Sequence, residues 1–540
     1  MREAVHVEKP YFLGTLREWL FTTDHKKIGI LYFVTSFVVF LITGLFGLLI
    51  RFEQSIPGFQ LVDPKTYNYL LTGHGIGMLL WWAIATHIGG FGNFLLPLMI
   101  GAKDVAFPRL NALSWWAFFA ANVLFLMTLI PGNQIMTMWT GYPPFSLNND
   151  AGITALYVFV IHLLGVSSIA TAVNFLVTYI TMRAPGITFF KTNLFIHTLI
   201  AANVIQLVGV PALAGAVTML FLDKYLGTNF FNPAKGGDPL IYQNIFWFYS
   251  HPVVYVQVLP IFGFYSEIIP TFARRPLFGY PAMVFAVWVI TAVSFFLWIH
   301  HMFVSGVPNW ARVLFSYTTL LIAVPTGIKI FNWMFTLYRG AIHFRAQMLY
   351  ALGGIFMFLI GGLTGIPLGM VAIDLGVSDS LFVVGHFHYV LGMAVTLGIL
   401  GAIIHWFPLA TGKFYPENLG KLSFWLIFIG ANTFYFLQMV VGILGNPRRY
   451  PDYPPIPEWT TLHVIQTIGA IILGVGVIIF TYGIIKGIRS GEKAPENPWK
   501  SPSLEWKVGV PVRAHGHGDK PPKVEPDWHP YRYDKEEILK

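Results

Sequence analysis

The strongest constraint on this chain is a run of twelve apolar stretches, each about 20 residues or longer and so able to cross a lipid hydrocarbon core as a helix. They fall near 28–50, 69–100, 112–131, 152–182, 194–222, 241–270, 280–303, 312–334, 347–371, 381–407, 421–445 and 462–489. The breaks are rich in Pro, Gly and Asn, as in Pro143-Pro144 and in GNPRRYPDYPPIPE over 445–458, which suits irregular backbone at a water interface. Only 11% of the 540 residues are charged, against roughly 25% in an average soluble domain. So few ionic groups cannot clothe a water-soluble globule. A disordered chain or a nucleic-acid-binding module fails for the same reason, despite the net charge of +9. With no cysteine, the chain makes no disulfide, thiolate metal site, covalent haem or iron–sulfur cluster. The expectation is an all-α polytopic membrane protein of twelve transmembrane helices.

Lysine and arginine favour the cytoplasmic side of a membrane. The segment 1–27 holds five, the connections after even-numbered spans ten and the stretch from Lys486 onward eleven, against seven after odd-numbered spans. Both termini are therefore expected in the cytoplasm, with the twelve spans in the cell inner (plasma) membrane. Three segments follow: a cytoplasmic N-terminal piece over 1–27, a helical domain over 28–489, and a soluble, Pro-rich, charged tail over 490–540. The tail is expected to lie over the inner face or over a partner. No cleavable signal peptide is expected, because polar or mixed residues fill the first 27 positions.

Ionisable groups inside spans are functional hypotheses by default. Carboxylates are scarce there, with Asp104 and Glu267 near the inner ends, and Lys329 alone is a deep cation. Histidine is abundant. Any one buried imidazole reads as a packing residue bonded to a neighbouring carbonyl, but spacing separates some from that reading. In His386-Phe387-His388 the imidazoles are about 200° apart around a helix, so they face opposite ways and can serve two cofactors. His251 and Tyr255 share a helical face about 6 Å apart along the axis. At about 1.5 Å per residue, His74 and His386 lie about 8 Å below the outer end of their spans, His388 about 10 Å and His251 about 15 Å. His300 and His301 lie within about 5 Å of theirs. Arg51, Arg448 and Arg449 sit just outside that layer. Six histidines aligned in one layer, with arginines above, read as a metal and haem layer.

These residues bring a family into view. The chain resembles subunit I of the haem-copper oxidases, in particular the A-type cytochrome c oxidases, along nearly its whole length. The motifs are TGHG (72–75), GGFGNFLLPLMIG (89–101), KDVAFPRLN (103–111), WFYSHPVVY (247–255), HHMFVSG (300–306), PTGIKIFNW (325–333), GHFHYVLGM (385–393) and GNPRRYPDYP (445–454). The resemblance implies a terminal respiratory oxidase that reduces dioxygen to water and pumps protons. It implies His74 and His388 as axial ligands of a low-spin haem, His386 as proximal ligand of a high-spin haem, and His251, His300 and His301 as ligands of one copper ion. Arg51 is implied at the low-spin haem periphery, and Arg448 and Arg449 at haem propionates, for which a planar guanidinium is well shaped. Trp247 is implied between the copper site and the outer surface. Tyr255 is implied as the tyrosine linked to the first copper ligand that supplies an electron and a proton. The haems are expected to be haem A, with B or O open. The implied partners are a subunit II-like chain bearing a dinuclear copper centre, a subunit III-like membrane subunit, and cytochrome c or a fused cytochrome c domain as donor.

Two proton routes are implied by the same resemblance. One joins Lys329, Thr326, Ser266 and Tyr255. The other starts at Asp104 and passes Asn93, Asn111, Tyr32, Asn174, Ser167 and Ser168. The sequence departs from many A-type relatives at Val253, where they carry a proton-donating glutamate. Tyr249-Ser250 matches a subgroup with that pair before the ligand histidine, and proton relay is assigned there. Ser378 stands where relatives often place a histidine beside the residue matching Asp379, which puts an outer magnesium site at Asp379 in question. Nitric oxide reductases would add a glutamate ligand, which is missing here. Quinol-oxidising relatives carry a polar cluster where this chain has Ile42, Phe46, Tyr69 and Thr72. A twelve-span transporter or a purely structural subunit would leave the histidine layer without purpose.

Overall fold

The structure, a computed structural model, describes residues 14–130, 132–148, 154–513, 516–518 and 520–533. The outermost parts of both expected terminal segments, 1–13 and 534–540, lie outside the described residues. Among those described, eleven helices are long and apolar enough to cross a membrane. With one shorter helix they run in chain order as α1 (His25–Glu53), α2 (Pro64–Ile100), α3 (Pro108–Met127), α4 (Ala155–Thr181), α5 (Leu194–Leu226), α6 (Pro239–Ala273), α7 (Tyr280–Phe296), α8 (Asn309–Leu337), α9 (Ala346–Gly369), α10 (Leu381–Thr411), α11 (Glu417–Ile443) and α12 (Pro457–Ser490).

Local chemistry starts and stops these helices. Asp24, Asp63 and Asp238 each accept a backbone N–H at the first turn of α1, α2 and α6, and Pro64 and Pro239 occupy first positions that need no donor. Gly227 and Gly412 end α5 and α10 in the left-handed conformation that a side chain disfavours. The expected span over 280–303 is the exception. Its α-helix covers only the 14 residues Tyr280–Val293, and the chain then tightens through 3₁₀ turns at Ser294–Phe296 and Trp298–Met302.

Large apolar side chains face outward, as at Ile478 (68% exposed) and Phe285 (67%). Such a surface suits lipid, where helices satisfy their own backbone groups. Three helices form the centre. The most apolar stretch of α2 is 100% buried, that of α6 89% and that of α10 83%, against 22% for α8 and 28% for α12. The enclosed helices are those that carry His74, His251 and the His386/His388 pair.

After α12 the chain turns back beneath the bundle. Val512 N–H donates to the Leu409 carbonyl at 2.8 Å, the Trp499 indole to the His405 carbonyl at 2.8 Å, and Leu194 N–H to the Tyr531 hydroxyl at 2.7 Å. His517 Nε2 donates to the Leu98 carbonyl at 2.7 Å. Leu504, Trp506, Val508 and Tyr531 are buried in these contacts. The His25 ring donates to the Asn93 carbonyl at 2.7 Å, so the start of α1 and the tail meet the same end of α2.

Candidate metal centre and proton routes

His251 sits in the first half of α6, and the 3₁₀ turn after α7 brings His300 and His301 to it. One ring nitrogen from each lies within 4.8 Å of the others, and this is the one such group of three or more His, Cys, Asp or Glu among the described residues. His251 Nδ1 faces His301 Nε2 at 3.1 Å, and the Thr319 hydroxyl on α8 holds His300 Nδ1 at 2.9 Å. Trp247, one turn before His251, lies flat on His301 with centres 3.8 Å apart and planes within 5°. Its indole donates to the Tyr142 hydroxyl. Converging imidazoles without a carboxylate suit copper, zinc or iron. The Tyr255 ring lies 4.9 Å from His251, whose Nε2 is buried without a partner.

A second pair lies beside this group. The His74 and His388 rings are 6.3 Å apart and within 16° of parallel. Two imidazoles binding one metal from opposite sides, with metal–nitrogen bonds of about 2 Å, place their centres about 6 Å apart. Each Nδ1 is fixed on a backbone carbonyl at 2.8 Å, Thr43 for His74 and Val384 for His388, which turns Nε2 toward the gap. Tyr435 stacks on His388 at 4.6 Å. Gly47 makes room, since a Cβ there would come within 2.7 Å of the His74 ring. His386 turns away from this pair toward α9, where Nδ1 meets the Thr364 hydroxyl at 3.1 Å. The helix widens to π winding from His388, while His386 lies in regular α-helix. His74, His386 and His388 are only half-buried although their helices are the most enclosed, so their free ring edges front open space within the bundle.

The arginines occupy two clusters beyond the histidines. Arg51 is buried, donating to the Gln54 carbonyl, to Gln466 at 3.0 Å and to His463 Nδ1 at 2.9 Å, with Nε left unpartnered. Arg448 pairs with the exposed Asp379 at 3.1 Å, and its Nε is also buried and unpartnered. Arg449 takes a left-handed backbone (φ 74°), rare for a side-chain-bearing residue. Burial and the neighbouring Arg448 hold its guanidinium down to about 10. Burial likewise pushes the nearby Asp374 carboxyl up to about 7. Asp379 is thus engaged by Arg448 and joins no cluster of metal-ligating groups among the described residues.

The Asp104 route is partly continuous. Asp104 lies half-buried between α2 and α3, and burial pushes its carboxyl up to about 6. Asn111 is fully buried with both amide atoms unpartnered. Ser114, a residue the sequence reading missed, donates to the Asn111 carbonyl at 2.7 Å and accepts from Tyr32 at 3.0 Å. Its position three residues after Asn111, on the same face of α3, was the available signal. The Tyr32 and Ser167 hydroxyls are 2.8 Å apart. Asn93 bonds the Gly89 carbonyl, and Asn174 exchanges bonds with the backbone of Phe107. A cavity of about 50 Å³ then reaches from Tyr32, Ser167 and Ser168 to Tyr249. Ser250 Oγ is buried and unpartnered.

Among the described residues, no direct hydrogen bond joins Lys329, Thr326, Ser266 and Tyr255. Lys329 is fully buried, 3.4 Å from the Met283 carbonyl and 5.7 Å from the Phe262 ring centre. Thr326 donates to the Ile322 carbonyl at 2.8 Å. Ser266 donates to the Phe262 carbonyl at 2.7 Å and accepts from Trp333 at 2.9 Å.

Residues 27–472 match the family described as cytochrome c and quinol oxidase polypeptide I. Cytochrome c oxidase subunit 1 of Thermostichus vulcanus is 43% identical over 91% of this chain and 88% of its own length. That of Cereibacter sphaeroides is 39% identical over 97% and 98%. A solved structure of a heme-copper terminal oxidase dimer shares the fold, with a TM-score of 0.74 at 18% identity over 90% of this chain and 87% of that one. The chain belongs to the cytochrome c and quinol oxidase polypeptide I family.

Proposed function

We propose that this chain is the catalytic subunit of a cytochrome c oxidase of the A type, reducing dioxygen to water in the plasma membrane and moving protons across it. The observation that carries this reading is the convergence of His251, His300 and His301 beside the His74/His388 pair and His386. All twelve helices cross the membrane in this reading, with both termini cytoplasmic.

Two haems, of the A type, and one copper ion would carry the electrons and bind dioxygen. His74 and His388 would hold the first haem, His386 the second, and the three-histidine group the copper. The protein's part is to orient these ligands. Thr43, Val384, Thr319 and Thr364 each fix one ring nitrogen and so aim the other. Arg51, Arg448 and Arg449 would neutralise haem carboxylates, Arg51 and Arg448 each with an Nε that is otherwise unpartnered. Tyr255 lies close enough to His251 to deliver a proton and an electron at the site, and the unpartnered His251 Nε2 is suited to a link with that ring. Tyr249 and Ser250 would end the Asp104 route in place of the missing carboxylate, while Lys329, Thr326 and Ser266 would serve the second route through intervening water. A subunit II-like chain with a dinuclear copper centre, a subunit III-like membrane subunit and cytochrome c, free or fused, complete the assembly.

Metal and haem analysis of the purified protein tests this reading. The expected result is two haems and one copper per chain, with His251→Ala losing copper while keeping both haems. A haem-free reduced-minus-oxidised spectrum would sink it.

A further inference from the structure

The Asp104 route has a gap that a side chain outside the resemblance is placed to fill. Tyr32 and Ser167 are bonded to each other, and Tyr249 stands on the far side of the cavity that they share. Val253 carries no proton. The cavity of about 50 Å³ has room for at least one water, which needs about 10–15 Å³ and two to four polar partners. α5 supplies one of them. Gln206 lines the cavity at 3% exposure, and its Oε1 is buried with no protein partner. An orphaned acceptor in this position costs stability unless something fills it. Gly209 lies one turn further along the same face of α5, and a Cβ there would stand 3.2 Å from the Tyr249 ring. The face of α5 that carries Gln206 therefore abuts Tyr249.

We propose that Gln206 is a positioning residue of the proton route, its amide holding the ordered water that joins the Tyr32–Ser167 pair to the Tyr249 hydroxyl. This rests on the oxidase reading above. Each hop breaks one O–H bond and forms another, with no electron transferred. Glutamine cannot itself gain or lose a proton here. Its role is to fix the water's orientation, so that one hydrogen points toward Tyr249 and a lone pair toward Ser167.

The test uses the complete, haem-loaded oxidase in phospholipid vesicles. Gln206→Leu keeps the volume and removes the polar end; Gln206→Glu restores it. Gln206→Leu should lower turnover and proton release together by about 10- to 100-fold, with an unchanged haem spectrum. Gln206→Glu should recover most of both and add a pH dependence that the parent lacks. Turnover and proton release in Gln206→Leu equal to the parent would overturn the proposal. So would equal losses in both variants accompanied by a shifted haem spectrum, which marks a packing role. An experimental map gives a second readout independent of turnover. Density for water within hydrogen-bond reach of Gln206 Oε1 and Tyr249 is expected, and an empty cavity would overturn the proposal. A parent protein without haem would instead sink the oxidase reading itself.

Discussion

At the scale of single residues, the site depends on small groups that leave space for rings. Gly47 is the sharpest case, because its missing Cβ is what allows α1 to lie against His74. Gly47→Ala should push the ring away, at an overpacking cost of about 1–3 kcal/mol. The expected outcome is a protein that still inserts but loses the absorption and low-spin EPR signals of a haem held by two histidines. Asp104 carries a different prediction. Its folded carboxyl titrates near about 6 because burial disfavours the charge, against 3.8 for a free carboxyl. The folded state thus binds more protons than the unfolded one between those values, and stability falls as pH rises through that window. Infrared difference spectra should show an aspartic acid band vanishing near pH 6, absent in Asp104→Asn. These residues also mark what a sequence can show. The two-residue spacing of His386 and His388 forces opposite directions on any helix, and the structure has one ring on Thr364 and the other facing His74. Ser114 is marked only by its spacing from Asn111, whereas Gly47 and Gln206 act through neighbours distant in the chain, so no local pattern marks those two.

Elements show the same division. Hydropathy located the long helices, because each must satisfy its own backbone in lipid. It did not reveal that the seventh would tighten into 3₁₀ turns, a change that depends on meeting α6 and α8 rather than on composition. The tail was less legible still. Its apolar residues are thinly spread among prolines and charges, so they form no periodic face, yet Trp499, Trp506 and Tyr531 dock into the bundle. Glu505 is buried with them, bonded to Ser503. Burial foremost, and then the Glu267 carboxyl, push Glu505 up to about 8. Glu267 is itself bonded by Tyr531 at 2.6 Å and by Asn193 at 2.9 Å. Since the folded pKa exceeds the ordinary 4.5, the tail's docking weakens as pH rises toward and through 8. Proteolysis within 491–533 should accelerate as pH rises toward 8 and level off above it, and Glu505→Gln should remove that dependence. A cleavage rate flat from pH 6 to 9 in the parent would contradict it.

At the scale of the whole molecule, sparse charge and absent cysteine turn out to be one statement about division of labour. In the proposed reading, the few buried ionisable groups form a histidine layer, the arginines above it and two inward routes. Histidine serves haem iron and a mononuclear copper, but a dinuclear copper centre needs bridging thiolates, and this chain has none. On the proposed reading, electrons would then arrive through another chain. Within this one, the Trp247 indole stacks on His301 and bonds Tyr142, an aromatic bridge from the three-histidine group toward the loop that bears Tyr142. A complex stripped of its other subunits should keep both haem spectra yet oxidise reduced cytochrome c at no more than a few per cent of the intact rate. A small membrane-permeant reductant should restore oxygen uptake, because it delivers electrons to the haems without the missing centre. If the stripped chain oxidises cytochrome c at the intact rate, electron entry lies within this chain. If the small reductant fails while both haems remain, the separated chain has lost its oxygen site rather than its electron supply.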